Sequence, residues 1–132
     1  MLLVDREGIP LAVDIANANR NEVTLIEPLL EQRLLNPAPE HLLYDKAADS
    51  DPLRHRLQLR QIELVCRHRS NRRRPPTQDG RAARRLNRRW RVERTIAWLQ
   101  SFRRLVTRYE YRDDIFLGFV TLACMFITLR GF

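Results

Sequence analysis

The sequence predicts an α/β fold, with a mixed sheet of about four short strands, flanking helices and a long C-terminal helical region. Three observations predict it. Short apolar runs typical of strands recur in the first half of the chain, stretches with helical spacing separate the later runs, and the last third has helical periodicity. With 132 residues, 44% of them hydrophobic, the chain can bury one core, so we predict a single domain over residues 1–132.

Four segments are predicted to be strands. Residues 1–5 and 10–16 form the first two, joined by a turn that contains Gly8. The third is “HLLY”, residues 41–44, which is too short for a helix, and the fourth is “IELVC”, residues 62–66. Helices are expected between the second and third strands and between the third and fourth.

The first of these helices is predicted from about residue 23 to residue 35, and the second from residue 51 to about residue 60. Ser50 or Asp51 can cap the second helix, and Pro52 stands in its first turn, where proline is favoured. The apolar stripe of the first helix comprises Leu25, Ile26, Leu29 and Leu30.

The last third of the chain is predicted to be helical. One apolar face runs through residues 92–109, “YRDD” at residues 111–114 can interrupt the helix, and residues 115–129 form a final buried helix. That final run has fifteen uncharged residues. Because a bilayer crossing needs about 18 to 20, we predict no membrane span. The apolar face through residues 92–109 comprises Val92, Ile96, Leu99, Phe102, Val106 and Tyr109.

Positive charge is concentrated in one segment. The chain has a formal net charge of +8, and residues 67–112 alone contain sixteen arginines against three acids. Basicity confined to one stretch indicates a polyanionic partner, most often nucleic acid, whereas a solvated loop is the alternative. Within this segment we predict an arginine-rich loop over residues 67–90, because Pro75, Pro76 and Gly80 interrupt regular structure. The arginines predicted to contact double-stranded DNA are Arg72, Arg73, Arg74, Arg84, Arg85, Arg88, Arg89 and Arg94.

Two carboxylates stand out by position. Asp45 follows the third strand, at the end where open α/β sheets bind ligands. Glu93 lies in the arginine-flanked helix, and its neighbour Ile96 predicts that it borders the face packed on the sheet. Carboxylates that converge in a basic groove suit hard divalent cations, and two ions about 3.5–4 Å apart can clamp a phosphodiester during displacement. The alternative is a helical ion pair of Glu93 with Arg89 or Arg94, worth about 0.3–0.5 kcal/mol.

Three blocks of the sequence resemble the DDE transposases of bacterial insertion sequences. They are “DREGIPLAVDIANANRNEVTLIEPLL”, “LLYDKAADSD” and “RRWRVERTIAWLQSFRRLVTRYEYRDDIFLGFVTLACMFITLR”. The resemblance implies a ribonuclease H-like catalytic domain, in which three acids bind two Mg²⁺ (or Mn²⁺) ions and cut and rejoin DNA at the ends of the element. It implies that Asp45 is the second aspartate, Glu93 the glutamate, and Arg89 an arginine that contacts DNA. Leu86 and Gln100 stand where the family often has tyrosine and lysine.

The resemblance also implies an absence. In the family the first aspartate lies on a strand before the block that corresponds to “LLVDREG”, while Asp5 aligns with the turn and Asp14 with no catalytic acid. We therefore expect a partial ribonuclease H-like fold that lacks its central first strand and whose sheet is split or rearranged. Such a truncated or frame-split transposase would be an endonuclease by family and inactive alone. The alternative is a non-enzymatic, arginine-rich DNA-binding remnant.

The expected partners are the DNA ends of an insertion sequence and a second protein chain, either another copy or a companion transposase chain. We expect a cytoplasmic protein associated with the nucleoid. Cys66 and Cys124 belong to no metal-binding spacing, and we predict that both are reduced core thiols.

Overall fold

The computed structural model describes residues 1–33, 38–78 and 80–130. Strands and helices alternate in the first half, and helices alone make up the last third, as predicted for an α/β chain. Short 3₁₀ turns at Glu22–Thr24, Lys46–Ala48 and Leu86–Arg88 connect some of these elements. The strands are β1 (Leu2–Val4), β2 (Pro10–Val13), β3 (His41–Leu43) and β4 (Glu63–Val65), and the helices are α1 (Ile26–Glu31), α2 (Asp51–Leu59), α3 (Gly80–Arg85), α4 (Trp90–Gln100), α5 (Arg103–Val106) and α6 (Asp113–Arg130).

The four strands form two separate two-stranded sheets. β1 and β2 pair antiparallel, with Leu2 opposite Val13, whereas β3 and β4 pair in parallel, with Leu42 opposite Leu64. Within the described parts of the chain no ladder joins β1 to β3. The four predicted strands are thus confirmed, and so is the prediction of a split sheet, but the strands do not form the single mixed sheet that the fold class implied.

The β1–β2 turn is shaped by Asp5 and Gly8. One Asp5 carboxylate oxygen accepts hydrogen bonds from the backbone N–H groups of Glu7 and Ile9, both at 2.8 Å. Gly8 has a φ of +88°, a conformation that side chains strongly disfavour. A Cβ atom there would lie 3.0 Å from an Arg94 guanidinium nitrogen and 3.1 Å from the Thr95 hydroxyl. Asp5 therefore has the turn role expected for it, and glycine allows α4 to approach.

The main core lies between α1, α2 and one face of the β3–β4 sheet. Met1 and Leu3 pack against it, which attaches the β1–β2 hairpin. On the other face of the sheet Val65 packs against Leu86, which attaches the segment that leads into α4. Because successive strand residues point to opposite faces, β4 contributes to both clusters. The main cluster comprises Ile26, Leu30, Leu42, Ala48, Leu53, Leu57, Ile62, Leu64 and Cys66.

α2 forms as predicted, whereas the helix before it is shorter. Ser50 caps α2, and its hydroxyl accepts from the backbone N–H of Leu53 at 3.5 Å. The helix predicted for residues 23–35 is a 3₁₀ turn capped by Asn21 and then α1, which buries three of the four predicted stripe residues. The last two residues of the predicted helix, Leu34 and Leu35, lie outside the described residues.

The predicted loop over residues 67–90 is wrong in its second half. α3 begins at Gly80, and a 3₁₀ turn over Leu86–Arg88 leads from it towards α4. Gly80 is the first residue of α3, so it does not interrupt the helix, and the alanines and arginines after it are strong helix formers. Buried Leu86 packs against Val65 and so attaches this helical segment to β4.

The apolar face predicted through residues 92–109 is interrupted and only partly buried, since Val92, Leu99 and Phe102 are half-buried and the other three residues are exposed. The helix stops at Gln100 and resumes only as the short α5, and Ile96 and Tyr109 remain 42% and 74% exposed. The buried residue of α4 is Thr95, whose hydroxyl donates to the Gly8 carbonyl at 2.6 Å. The packed face of α4 therefore centres on Thr95, with half-buried Val92 and Leu99 on either side along the helix, and Glu93 lies on the exposed side.

α6 is a long helix with one buried face. Residues on that face pack over β2, α4 and α5, whereas the opposite face is exposed, so the predicted buried helix is confirmed for only half of its circumference. None of the described helices combines the length and the apolar character needed to cross a bilayer. Cys124 on the buried face and Cys66 in the core are both free thiols. The buried residues of α6 are Val120, Ala123, Cys124 and Ile127.

The substitution Gly8→Ala is expected to destabilise the protein by about 1–2 kcal/mol, because alanine is strained at positive φ. The added methyl group also crowds Arg94 and Thr95. Urea unfolding followed by far-UV circular dichroism measures the change. Gly80→Ala is the matched control, since a Cβ there meets nothing within 4 Å. Equal stability of the two variants would contradict the close approach of α4 to the turn.

Candidate metal and nucleic-acid site

Asp45 lies at the carboxyl end of the β3 segment, as predicted. It caps the following 3₁₀ turn, where one carboxylate oxygen accepts from the backbone N–H of Ala47 at 2.6 Å. The side chain is half-buried, and its second carboxylate oxygen accepts no hydrogen bond from a described residue. The cap orients the carboxylate and leaves one oxygen available to a ligand.

Glu93 lies in the first turn of α4 and is exposed. It forms no hydrogen bond or ion pair with the described residues, so the local pair with Arg89 or Arg94 is not formed. Arg94 instead donates a hydrogen bond to the Glu7 carbonyl oxygen, and its guanidinium group lies against the rings of Trp90 and Trp98. Glu93 is thus a carboxylate in arginine-rich surroundings whose charge no described side chain compensates.

The start of α4 lies near the end of β3. Leu43, the last residue of β3, packs against the cluster of Val65 and Leu86, and Leu86 lies four residues before the start of α4. Burial, and then the negative charges of Glu22 and Asp45, raise the pKa of Tyr44 to about 12 against the opposing effect of Arg89. Glu93 follows Arg89 by about one helical turn. Asp45 follows β3, and Glu93 follows the turn that contains Leu86, so the two acids belong to segments that meet at the cluster of Val65 and Leu86.

The available donors suit a hard divalent ion but do not complete its shell. Asp45 offers one oxygen and Glu93 two, and oxygen is the ligand atom that Mg²⁺ and Mn²⁺ prefer. Among the described residues no group of three His, Cys, Asp or Glu side chains could hold a metal ion. A site built on Asp45 and Glu93 would need further oxygens from water, from a nucleic-acid phosphate or from another segment of protein.

Three of the eight arginines predicted to contact DNA form ion pairs with carboxylates. Arg72 pairs with Asp51 at 2.8 Å, and its side chain is only 12% exposed. Arg74 pairs with the same carboxylate at 3.0 Å, and Arg85 pairs with Glu63 at 3.4 Å. These pairs reduce the positive charge that the three arginines can present to a phosphate.

The other five predicted arginines form no ion pair with a described residue. Arg73, Arg84 and Arg88 are exposed, and Arg89 and Arg94 are half-buried. Arg84 and Arg88 belong to the helical segment just before α4, and Arg89 is the next residue. Four of these five arginines therefore lie in α4 or in the helical segment that leads into it.

An anchor that sequence reasoning missed holds the basic segment beside Asp45. Asp49 is 2% exposed at its side chain. Burial alone would raise the pKa of Asp49, but hydrogen bonds from the Arg69 amide and from His68 outweigh burial and lower it to about 2. Arg69 also donates to the Ala47 carbonyl, in the turn that Asp45 caps, at 2.7 Å. The partners of Asp49 are the Arg69 amide (2.8 Å) and the side chains of His68 (2.9 Å), Arg54 (3.1 Å) and Arg72 (3.2 Å).

A second missed feature is an exposed stack on α4. The Arg94 guanidinium carbon lies 4.9 Å from the Trp90 ring centre and 4.7 Å from that of Trp98, and both rings are about half exposed. The W-x₃-R-x₃-W spacing could have revealed it, because residues four apart share a helix face. Exposed rings beside arginines provide surfaces on which nucleic-acid bases can stack.

Comparison with known proteins gives two matches. The family described as “Transposase DDE domain” matches residues 1–127 of the chain. A Burkholderia cepacia protein named “Putative transposase for insertion sequence element IS402” is 38% identical over 140 residues. That alignment covers 98% of this chain and 63% of the relative, so the chain spans less than two thirds of the relative's length. No solved structure gives a significant match.

The substitution Asp49→Asn is expected to destabilise the protein by about 3 kcal/mol at pH 7, because it leaves the mostly buried Arg54 without a counter-charge and leaves Arg72 paired with Asp51 alone. The pKa of Asp49 lies below its ordinary value of 3.8 in the folded protein. Its contribution is therefore fully present above about pH 4 and is lost as the pH falls towards 2. Urea unfolding at several pH values measures both effects.

The wild type should lose stability between pH 4 and pH 2 more steeply than Asp49→Asn does. Glu31→Gln is the matched control, since its exposed pair with Arg60, at 3.4 Å, should contribute less than about 1 kcal/mol. Parallel pH profiles for the wild type and Asp49→Asn would contradict the role assigned to this carboxylate.

Proposed function

The chain belongs to the DDE transposase family, and on that premise we propose that it forms part of the catalytic domain of an insertion-sequence transposase, which cuts and rejoins DNA in a metal-dependent reaction. The observation on which the proposal rests is that the Glu93 carboxylate has no charged partner among the described residues. Its exposed carboxylate is flanked in sequence by Arg91 and Arg94 and is paired with no arginine that the structure describes. An acid kept uncompensated in a basic surface is suited to hold a cation next to a bound polyanion.

In this proposal Asp45 and Glu93 are metal ligands. The family generally uses divalent metal ions, and we propose Mg²⁺ or Mn²⁺, with two ions in the complete site. Bound there, such ions would activate the attacking oxygen and stabilise the leaving oxygen of a phosphodiester. The Ala47 N–H donates to one carboxylate oxygen of Asp45, and this hydrogen bond fixes the orientation of the other carboxylate oxygen. Glu93 is held in place by the helix α4.

The arginines around Glu93 would bind the DNA backbone. Arg84, Arg88 and Arg89 are not paired with carboxylates among the described residues and lie just before α4. Arg73 can extend this surface, while Arg94 and its tryptophan neighbours offer stacking to an unpaired base. Arg72, Arg74 and Arg85 would mainly organise the segment, because each is held by a carboxylate. The proposed site of action is the nucleoid, where the DNA lies.

We propose further that this chain is inactive alone and is completed by another polypeptide segment. Two features support this. The described residues contain no group of three His, Cys, Asp or Glu side chains that could hold a metal ion. Among the described strands, β1 and β3 each pair with one other strand, so each keeps an edge at which a further strand of a ribonuclease H-like sheet could add. Restoration of DNA cleavage by a companion chain that carries the family's first aspartate would test this proposal.

The alternative function is DNA binding without catalysis. The net positive charge of the 67–112 segment suffices for DNA binding, and the absence of a three-residue metal-binding group among the described residues favours a function without catalysis. The two functions differ in what Asp45 and Glu93 contribute. A DNA-binding remnant needs neither carboxylate, whereas a transposase site loses its metal without them.

Asp45→Asn and Glu93→Gln are each expected to weaken Mn²⁺ binding at least tenfold in the presence of duplex DNA, whose phosphates can complete the coordination. Isothermal titration calorimetry on the full chain measures the affinity. Glu22→Gln is the control, because Glu22 accepts the Tyr44 hydroxyl and is not a proposed ligand. Unchanged binding in both site variants would leave only the non-catalytic function.

The double substitution Arg84→Ala/Arg88→Ala is expected to make the salt dependence of duplex binding shallower by about 1.8, because each phosphate that an arginine neutralises contributes about 0.9 to the slope. Fluorescence anisotropy over a range of salt concentrations measures the slope of log Kobs against log salt. Arg56→Ala serves as the control, since that guanidinium is already paired with Glu27 at 2.8 Å. A slope equal to that of the wild type would exclude Arg84 and Arg88 from the DNA interface.

A further inference from the structure

Both tryptophans of the chain lie on α4 and contact the same arginine. Trp90, Arg94 and Trp98 follow one another at intervals of four residues, so their side chains share one side of the helix. The Arg94 guanidinium carbon is within 5.8 Å of each ring centre, and the rings of Trp90 and Trp98 remain 50% and 40% exposed. We call these three residues the α4 stack.

The α4 stack is held in place by the turn between β1 and β2. Arg94 donates a hydrogen bond to the Glu7 carbonyl oxygen of this turn. The next residue, Thr95, is buried and donates to the Gly8 carbonyl oxygen of the same turn at 2.6 Å. These two hydrogen bonds fix the guanidinium against which both rings lie. A ligand that contacts rings already held in this way loses less of its binding energy to ordering them.

The chemistry of the α4 stack suits a nucleobase. Bases stack on aromatic rings and on guanidinium planes, and both kinds of surface are present here. Three arginines next to Trp90, namely Arg88, Arg89 and Arg91, form no ion pair with a described residue. They can bind the phosphates of a nucleic-acid strand while one of its bases reaches the rings. Positive charge beside the rings therefore favours a base that is part of a polyanionic strand.

The α4 stack can distinguish unpaired bases from paired ones. In a duplex both faces of a base are covered by its neighbours, so a ring on a protein surface reaches them only after the base is unstacked. In a single strand the faces are accessible, and stacking tolerates any sequence because every base has a π-face. Phosphate contacts alone would favour the duplex, whose charge density is higher. A preference for unpaired DNA would therefore come from the rings.

We propose that the α4 stack is a binding site for an unpaired base of a DNA strand. The inference deepens the proposed function, because it rests on DNA binding by this chain and adds the kind of DNA that the surface next to Glu93 prefers. The α4 stack contains no metal ligand, so it binds the base without a metal ion.

Two single-stranded oligomers of about ten nucleotides test the proposal in a buffer that contains a metal chelator. One is oligothymidylate, and the other has the same sugars and phosphates but no bases. The wild type should bind oligothymidylate about tenfold more tightly than the abasic oligomer, because only the former can stack. Since both tryptophans of the chain belong to the α4 stack, quenching of tryptophan emission by oligothymidylate reports contact at this site.

Fluorescence anisotropy of labelled oligomers compares the variants. The double substitution Trp90→Leu/Trp98→Leu should remove the preference for oligothymidylate and leave the affinity for the abasic oligomer unchanged, which also shows that the variant is folded. Trp90→Phe/Trp98→Phe is the matched control and should keep most of the preference, because phenylalanine still stacks.

Glu93→Gln should keep the whole preference for oligothymidylate, although it is expected to lose Mn²⁺ binding. If the α4 stack only stabilised the helix, the wild type would bind the two oligomers equally, and this result would overturn the proposal whether or not the variants fold. A full preference retained in Trp90→Leu/Trp98→Leu would overturn it as well. Duplex binding by a wild type that shows no preference would reject the base site alone and leave the proposed function standing.

Discussion

A polar contact between Thr95 and the turn at Gly8 sets the position of α4. The Thr95 hydroxyl donates to the Gly8 carbonyl, and it is fully buried, so this hydrogen bond is made away from competing water. The approach is possible because Gly8 has no side chain and adopts positive φ. With α4 held in this way, its start lies near the end of β3, and Glu93 is turned to the exposed side. The position of Glu93 therefore depends on a hairpin turn that does not contain it.

The basic segment has two parts that differ in how their charge is balanced. Near α2, carboxylates of Asp49 and Asp51 bind several arginines and hold the segment beside the turn that Asp45 caps. In α3 and the turn after it, Arg84 and Arg88 face solvent without carboxylate partners among the described residues. Internal ion pairs thus organise one end of the segment, and the other end keeps the positive field that attracts a polyanion.

Local signals predicted much of the fold, and long-range contacts account for what they missed. The strands, the Ser50 cap and the placement of Asp45 follow from short patterns that the tertiary structure leaves intact. The anchoring of α4 could not be predicted, because spacing favoured Ile96 while the contact that forms uses a threonine hydroxyl and a carbonyl from a distant turn. Asp49 was missed for the same reason, since its partners come from a segment about twenty residues later.

Paramagnetic broadening by Mn²⁺ in amide NMR spectra would test most directly whether Asp45 and Glu93 share a metal site. If they do, low Mn²⁺ concentrations in the presence of duplex DNA should broaden the amides around Asp45 and those around Glu93 together. Glu93→Gln should then abolish the broadening at both positions. Broadening confined to one of the two regions, or retained around Asp45 in the Glu93→Gln variant, would contradict a shared site.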